Sequence, residues 1–246
     1  MGVLLTIAYD GTNYCGWQDQ RNGRSVQEVL SKAIEKTLNC SKFTLLGASR
    51  TDSGVHALGQ RAHLISSAPE RVPVSRMPLV LNTHLPEDIR ITASVGVPDN
   101  FHPINEAKSK TYRYVIYNSR YNNPLFRNFS AFIPIKLDVS NMAAASRYFL
   151  GEHDFAAFCA KGSTVKSTVR TIYTLDVVSK EDLIETTIGG DGFLYNMVRI
   201  IMGTLTNVGL GKIAPNAIPA IIASRSRTRA GRTMPPQGLT LMEISY

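Results

Sequence analysis

The sequence predicts an α+β chain built in two halves, and three observations carry that prediction. Apolar residues make up 43 % and charged residues 19 % of the 246 residues, which is enough for a core and too little charge for a disordered chain. Each half carries both β-branched and aromatic runs of strand length and long segments with helical spacing. A linker-like stretch, Pro98 to Ser109, separates the halves. The length fits one large domain or two of ordinary size. We therefore expect an N-terminal lobe over residues 1–105 and a C-terminal lobe over residues 106–246.

In the first half, Val3 to Tyr9 reads as a buried strand and Asp10-Gly11-Thr12-Asn13 as a turn. Ser25-Val26-Gln27-Glu28 is a capping box, since Ser25 can accept from the amide three residues on and Glu28 can reach back. Val26, Val29, Leu30, Ala33, Ile34 and Leu38 then recur at helical spacing. Phe43 to Ala48 and Leu58 to Ile65 read as strands joined by the polar loop Ser49 to Ala57, and Ile89 to Val97 as a further strand.

In the second half, Lys110 to Tyr117 is strand-like, with Tyr112, Tyr114 and Ile116 on one face. Asp138 caps a helix expected to reach Leu150 and to close at Gly151. Val169 to Val178 and Leu183 to Ile188 form two strands around the turn Ser179 to Asp182. A strong helix is expected from about Phe193 to Val208, ended by Gly209; Pro215 opens the last helix, and Leu239 to Tyr246 is a final strand. Along the strong helix, Asn196, Arg199, Gly203 and Thr206 make a narrow polar stripe on an otherwise apolar surface. That stripe is either solvated or presents Arg199 to a functional site.

The formal net charge of +8 favours an acidic partner such as nucleic acid or an anionic surface. The basic residues fall in scattered clusters: Arg21 and Arg24; Lys108, Lys110 and Arg113; Lys161, Lys166 and Arg170; Arg225, Arg227, Arg229 and Arg232. Dispersed clusters suit an RNA backbone followed by charge and shape, or simply a solvated surface. Cys15, Cys40 and Cys159 lack metal-ligand spacing and do not suggest a disulfide framework. Met1 to Leu5 lacks the basic start of a signal peptide, and no apolar run is long enough to span a bilayer. A cytoplasmic protein with no membrane association is expected, or one resident in a nucleic-acid-containing organelle whose presequence is missing.

Several chemistries lack their motifs. There is no Walker loop, the glycines at Gly209 and Gly211 do not complete a dinucleotide fingerprint, no H-x-x-x-H pair suggests zinc, and no G-x-S-x-G elbow is present. Neither a cofactor nor a metal is expected. What remains is the run from Gly47 to Gln60, where a strand empties into a short polar loop with Arg50, Asp52 and His56. A carboxylate beside a cation stays ionised and can act as nucleophile or general base. An isolated R-T-D triplet would equally make a local ion pair that caps the loop.

The wider context is more specific. Gly47 to Gln60 resembles the G-R-T-D-A-G-V-H-A signature of the tRNA pseudouridine synthase A family. The likeness continues through Tyr9-Asp10-Gly11, Tyr14, Gly16-Trp17-Gln18, Ser25-Val26-Gln27, Phe101-His102 and Tyr112-Arg113-Tyr114. It extends over Gly151 to Phe155, Phe158, Gly192-Phe193-Leu194, Met197-Val198-Arg199, Gly238-Leu239 and Tyr246. The resemblance implies an isomerase that converts uridine to pseudouridine without a cofactor. It implies a two-lobed pseudouridine synthase fold, with a mostly antiparallel sheet flanked by helices and a central basic cleft. It implies a homodimer acting on tRNA positions 38, 39 and 40. By the same resemblance Asp52 is the catalytic aspartate, Arg50 helps hold the site open once the base has flipped, Tyr112 stacks on the base, and Arg199 pairs with the aspartate.

Three places depart from the family pattern: Ser49 for glycine, Ser53 for alanine, and Pro103-Ile104 for Ala-Arg. The last removes an arginine and bears on which RNA site is chosen. Two alternatives therefore stand beside the main reading: a paralogous pseudouridine synthase acting at another RNA site, and a non-catalytic tRNA-binding chaperone of the same fold.

Overall fold

The computed structural model describes residues 2–20, 23–66, 72–162 and 165–246. Its strands and helices in chain order are β1 (Gly2–Tyr9), α1 (Val26–Leu38), β2 (Phe43–Gly47), β3 (His56–Ser66), α2 (Met77–Asn82) and β4 (Ile89–Val97). They continue with β5 (Ser109–Asn118), β6 (Ala131–Ile133), α3 (Val139–Ser146), β7 (Gly151–Asp154), β8 (Val169–Lys180) and β9 (Leu183–Gly190). The last are α4 (Met197–Gly209), α5 (Ile218–Ala223) and β10 (Leu239–Ser245). Arg21 of the first basic cluster lies outside the described residues.

The chain forms two compact units. The first comprises Met1–Lys108 with Leu241–Tyr246, and the second Ser109–Thr240. The division falls at the end of the linker-like stretch. The C-terminal strand residues return to the first unit, an assignment that sequence order alone does not suggest.

In the first unit β1 lies between β3 and β4, antiparallel to both, while β2 and β10 pair with β3. A central strand is covered on both faces, which is why Val3, Leu4, Leu5 and Ile7 form a nearly continuous apolar run rather than alternating with polar residues. Helix α1 follows its capping box: Ser25 Oγ accepts from the Glu28 amide at 3.0 Å. Lys32 pairs with the Glu28 carboxylate at 2.5 Å and holds its pKa below the ordinary carboxylate value. Asn39 ends the helix in the left-handed conformation (φ 47°). The face Val26, Leu30, Ala33, Ile34 and Leu38 is buried. Burying each of its larger side chains contributes roughly 1.5–3 kcal/mol.

The second unit is the sheet β5-β9-β8-β7, antiparallel throughout, with β6 added parallel to β5. Helix α3 packs on α4 and β8. Three helices differ from their sequence expectations. α4 begins at Met197, because Asn196 sits at φ 60° and the left-handed residue interrupts the turn from Phe193 to Asn196. α3 ends at Ser146 and passes through a 3-10 turn, Arg147–Phe149, into extended Leu150. Gly151, at φ 91°, starts β7 rather than closing the helix. Pro215 opens a 3-10 turn, and α5 starts at Ile218.

The polar stripe of α4 is mostly covered. Gly203 and Thr206 are buried, while Asn196 and Arg199 are partly exposed. A Cβ on Gly203 would stand 1.8 Å from the Arg232 carbonyl oxygen, and one on Gly231 2.3 Å from the Gly203 carbonyl carbon. Two glycines thus let the segment 231–234 lie flush on the helix. The Gly231 amide donates to Thr204 Oγ1 at 2.8 Å, and the Met234 amide to the Arg199 carbonyl at 3.1 Å.

Candidate active site

The loop between β2 and β3 is short, and its shape is imposed from outside. β1 delivers Tyr9, whose hydroxyl lies 2.6 Å from Thr51 Oγ1 in the buried interior. The chain then turns through Asp10 and Gly11 and passes beneath the loop. Gly16, at φ 94°, approaches so closely that a Cβ would stand 2.5 Å from the Thr51 carbonyl oxygen and 3.1 Å from the Asp52 carbonyl carbon. The Trp17 amide donates to that Thr51 oxygen at 3.1 Å. The Tyr14 carbonyl accepts from the Gly54 amide at 3.3 Å and from Ser53 Oγ at 3.2 Å. The Val55 amide donates to the Asp52 carbonyl at 3.1 Å, closing a turn with Gly54 at φ 77°.

These contacts leave the loop a fixed alternation. Thr51 and Val55 point into the core, Asp52 is partly exposed, and Arg50 and Ser53 are exposed. Asp52 is therefore carried on a backbone held on both sides. Ser53, a departure from the family pattern, contributes its hydroxyl to the clamp on Tyr14.

The clamp itself is anchored. The Trp17 ring stacks on Tyr9 with centroids 6.2 Å apart, and Gly47 leaves room for it, since a Cβ there would stand 2.1 Å from Trp17 Nε1. The Gly16 and Trp17 carbonyls accept from the Val26 and Gln27 amides at 3.1 and 3.0 Å, which ties the clamp to the start of α1. Tyr14 is buried and donates to Asp88 Oδ1 at 2.6 Å; burial first, and then this carboxylate, raise its pKa above the ordinary phenol value. His56 is buried, and its Nδ1 accepts from the Gly11 amide at 3.0 Å. Asp10 Oδ1 lies 3.1 Å from the same Nδ1.

The other two sequence candidates lie in the second unit. Tyr112, on β5 opposite Ile188, is buried, and its ring meets Phe193 edge-on at 5.2 Å and 89°. The interrupted turn before α4 is what brings Phe193 there. Tyr114, on the same face, is fully buried and donates to the Pro235 carbonyl at 2.7 Å. Burial raises its phenol pKa, against a smaller opposing effect of the Arg199 and Arg232 charges. Arg199 is held as a fork: Nε donates to the Met234 carbonyl at 2.7 Å and Nη1 to Asn196 Oδ1 at 2.6 Å.

Arg50 and Asp52 therefore share one loop of the first unit, while Tyr112 lies on β5 and Arg199 near the start of α4 in the second. Tyr14, Gly16-Trp17 and Phe193 enter the sequence reading only as matches to the family pattern; that the first three hold the loop, that Phe193 meets Tyr112 and that the Met234 carbonyl holds Arg199 emerges only from the fold. The close approaches at Gly16, Gly203 and Gly231 exist only in three dimensions. Among the described residues, no group of three or more His, Cys, Asp or Glu side chains is placed to hold a metal ion. No helix among them is long and apolar enough to cross a membrane.

Comparison with known proteins adds to this geometry. The chain is 50 % identical over 244 residues to the tRNA pseudouridine synthase A of Acetivibrio thermocellus, with 99 % of each chain covered. It is 50 % identical over 245 residues to that of Ruminiclostridium cellulolyticum, again with 99 % of each chain covered. Against that of Bacillus pumilus it is 42 % identical over 247 residues, covering 100 % of this chain and 99 % of the other. Among solved structures, a chain in the crystal structure of a Cbf5-Nop10-Gar1 complex aligns with 97 % of this chain and 48 % of its own length, at a TM-score of 0.45 and 13 % identity. The sequence profile of the family described as tRNA pseudouridine synthase matches residues 5–104 and 145–246, which include Arg50, Asp52 and Arg199. The chain belongs to the tRNA pseudouridine synthase family.

Proposed function

We propose that this chain isomerises uridine to pseudouridine in the anticodon stem-loop of tRNA, at positions 38, 39 and 40, with Asp52 as the catalytic carboxylate. The observation that carries the proposal is the full-length likeness to proteins named tRNA pseudouridine synthase A, together with an R-T-D loop whose backbone is clamped around Asp52. The reaction is internally balanced. The bond from ribose C1′ to uracil N1 breaks, the base turns, C1′ bonds to C5, the C5 proton leaves to solvent, and N1 takes up a proton in its place. No electrons enter or leave, so no redox partner is required.

Asp52 acts as nucleophile or as base. Arg50 helps keep the site open around a base that has left its stack, Tyr112 provides the stacking surface, and Arg199 serves as the basic partner that favours the ionised aspartate. The enzyme works in the cytoplasm as a homodimer, which sedimentation of the purified protein tests.

Tritium release from tRNA labelled at uridine C5, measured beside filter binding, tests the activity. Asp52→Asn removes charge and basicity at constant size, and release should fall by roughly a thousandfold or more while binding changes little. Near wild-type release by that variant would remove Asp52 from its role. Tight binding with no release by the wild-type protein on any tRNA would favour a chaperone.

A second reading, a paralogue acting at another RNA site, has one observation behind it. Pro103 is fixed by Tyr246, whose hydroxyl donates to the Pro103 carbonyl at 3.0 Å, and Ile104 is 48 % exposed. An ordered aliphatic side chain thus stands on the surface where the family carries an arginine. Mapping pseudouridines in cellular tRNA with and without the gene separates the two readings.

A further inference from the structure

The segment 231–234 that lies on α4 carries a staple of its own. Arg227 begins the 3-10 turn Arg227–Arg229. Its guanidinium reaches over the loop that follows, with Nη1 donating to the Gly231 carbonyl at 2.8 Å and Nη2 to Thr233 Oγ1 at 3.2 Å. A planar fork fixes two acceptors at a set spacing, which an ammonium on a flexible stem does not. The turn that carries Arg227 is tied down from the other direction. Arg225, at φ 50°, places its Nε 2.9 Å from Asp154 Oδ2, and Asp154 Oδ1 accepts from Thr168 Oγ1 at 2.6 Å.

Both ends of the stapled stretch are bonded to α4. The Gly231 amide donates to the buried Thr204 Oγ1 at 2.8 Å. At the far end Met234 and Arg199 are paired twice: the Met234 amide donates to the Arg199 carbonyl at 3.1 Å, and Arg199 Nε donates to the Met234 carbonyl at 2.7 Å. Between the two ends Arg232 is exposed and Thr233 is half-buried. The stretch starts at a glycine, the residue that restricts its own backbone least, so the covalent chain alone does not fix where the Met234 carbonyl stands. The Arg227 fork bonds to the first and third residues of the stretch and narrows that freedom. Arg227 falls in a basic cluster that the proposed chemistry leaves unused.

We infer that Arg227 is a positioning residue for the isomerisation: it sets the Met234 carbonyl, and through it the guanidinium of Arg199. The inference rests on the role given to Arg199 above. It assigns Arg227 to the aim of another side chain and not to a phosphate of the RNA.

The test compares Arg227→Gln with wild type in three measurements. In tritium release, kcat per folded enzyme should fall by about tenfold with KM within about twofold, because a misaimed group costs turnover more than binding. Arg227→Lys, which can reach one acceptor, should recover part of that loss. In an Arg199→Lys background, Arg227→Gln should cost less than about twofold further, since the group it aims is already gone. In filter binding of a prefolded anticodon stem-loop, the slope of log K against log salt should stay at the wild-type value, whereas a lost phosphate contact would lower it by about 1. In nitrogen-15 NMR, the Nε–H resonance of Arg199, identified by its absence from Arg199→Lys, should shift and exchange faster with solvent in Arg227→Gln.

A wild-type kcat in Arg227→Gln would overturn the inference, and a lowered salt slope beside it would make Arg227 a phosphate contact instead. Equal losses in the two backgrounds, or an unmoved Arg199 resonance beside a lowered kcat, would also overturn it. If Arg227→Gln does not fold, Thr233→Val removes one of the two acceptors; it should lower kcat to a smaller degree, and wild-type kcat and an unmoved resonance in that variant would count against the inference in the same way. Wild-type release by Arg199→Lys would remove Arg199 from its role in the functional reading. The resonance needs no catalysis, so the link from Arg227 to Arg199 would still be judged by itself.

Discussion

The hydroxyl of Tyr9 and Oγ1 of Thr51 lie 2.6 Å apart inside the first unit, so the last residue of β1 is bonded to the residue immediately before Asp52. Removing either hydroxyl takes a partner from the other in a buried place, at a cost of about 1–2 kcal/mol. Tyr9→Phe and Thr51→Val should each lower unfolding free energy by that amount, measured by urea denaturation. The double variant should lose clearly less than the sum, since the pair is one interaction. Strict additivity would mean that the two hydroxyls do not depend on each other.

Gly16 bears on Asp52 through sterics rather than hydrogen bonds. Its φ of 94° is unfavourable for any residue with a Cβ, and a Cβ would press on the Thr51 carbonyl at 2.5 Å. Gly16→Ala should displace the loop while the basic surfaces stay in place. Tritium release should fall by roughly a hundredfold, the loss expected for a misplacement of about 1 Å. Stem-loop affinity should stay close to wild type. An equal loss in both measurements would point to general unfolding.

The contrast between these two contacts shows what was legible in the sequence. Where the determinants are local, the reading matched the molecule: the Ser25–Glu28 capping box starts α1 at Val26, and the β-branched run from Ile89 to Val97 is β4. The loop around Asp52 was visible through its motif. Its clamp was not, because Gly16 meets Thr51 only after the chain has folded back. The start of α4 was misplaced for a related reason. Phe193 and Leu194 continue the helical apolar spacing, and nothing in that spacing reports that Asn196 adopts φ 60°. The six-residue α2, which begins at Met77-Pro78, is too short to show a period at all.

His63 provides a pH test. It is fully buried, and its ring meets Phe101 edge-on at 5.7 Å. Burial lowers its pKa below the ordinary histidine value of 6.5. Above pH 6.5 the ring is neutral in both folded and unfolded chains and stability does not depend on it. As the pH falls below 6.5 the unfolded chain takes up the proton first, so stability declines until the lower folded-state pKa is passed. The melting temperature should therefore drop between pH 7 and pH 5.5, and His63→Leu should flatten that drop. An identical decline in the variant would assign the effect to other groups.

Arg199 tests whether the shape of a cation matters as much as its charge. Its guanidinium is held at two nitrogens, by the Met234 carbonyl and by Asn196 Oδ1. Arg199→Lys keeps the charge, but one ammonium on a flexible stem cannot reproduce a planar fork. Tritium release should fall by about tenfold or more, and stability by about 1–2 kcal/mol for the lost bonds. Asn196→Gly removes one anchor while tolerating the left-handed backbone at φ 60°; its loss of release should be smaller than that of Arg199→Lys. In the Arg199→Lys background the same change should have almost no further effect on release, because the fork that Asn196 supports is already gone. Equal losses in both backgrounds would show that Asn196 acts through the start of α4 and not through Arg199.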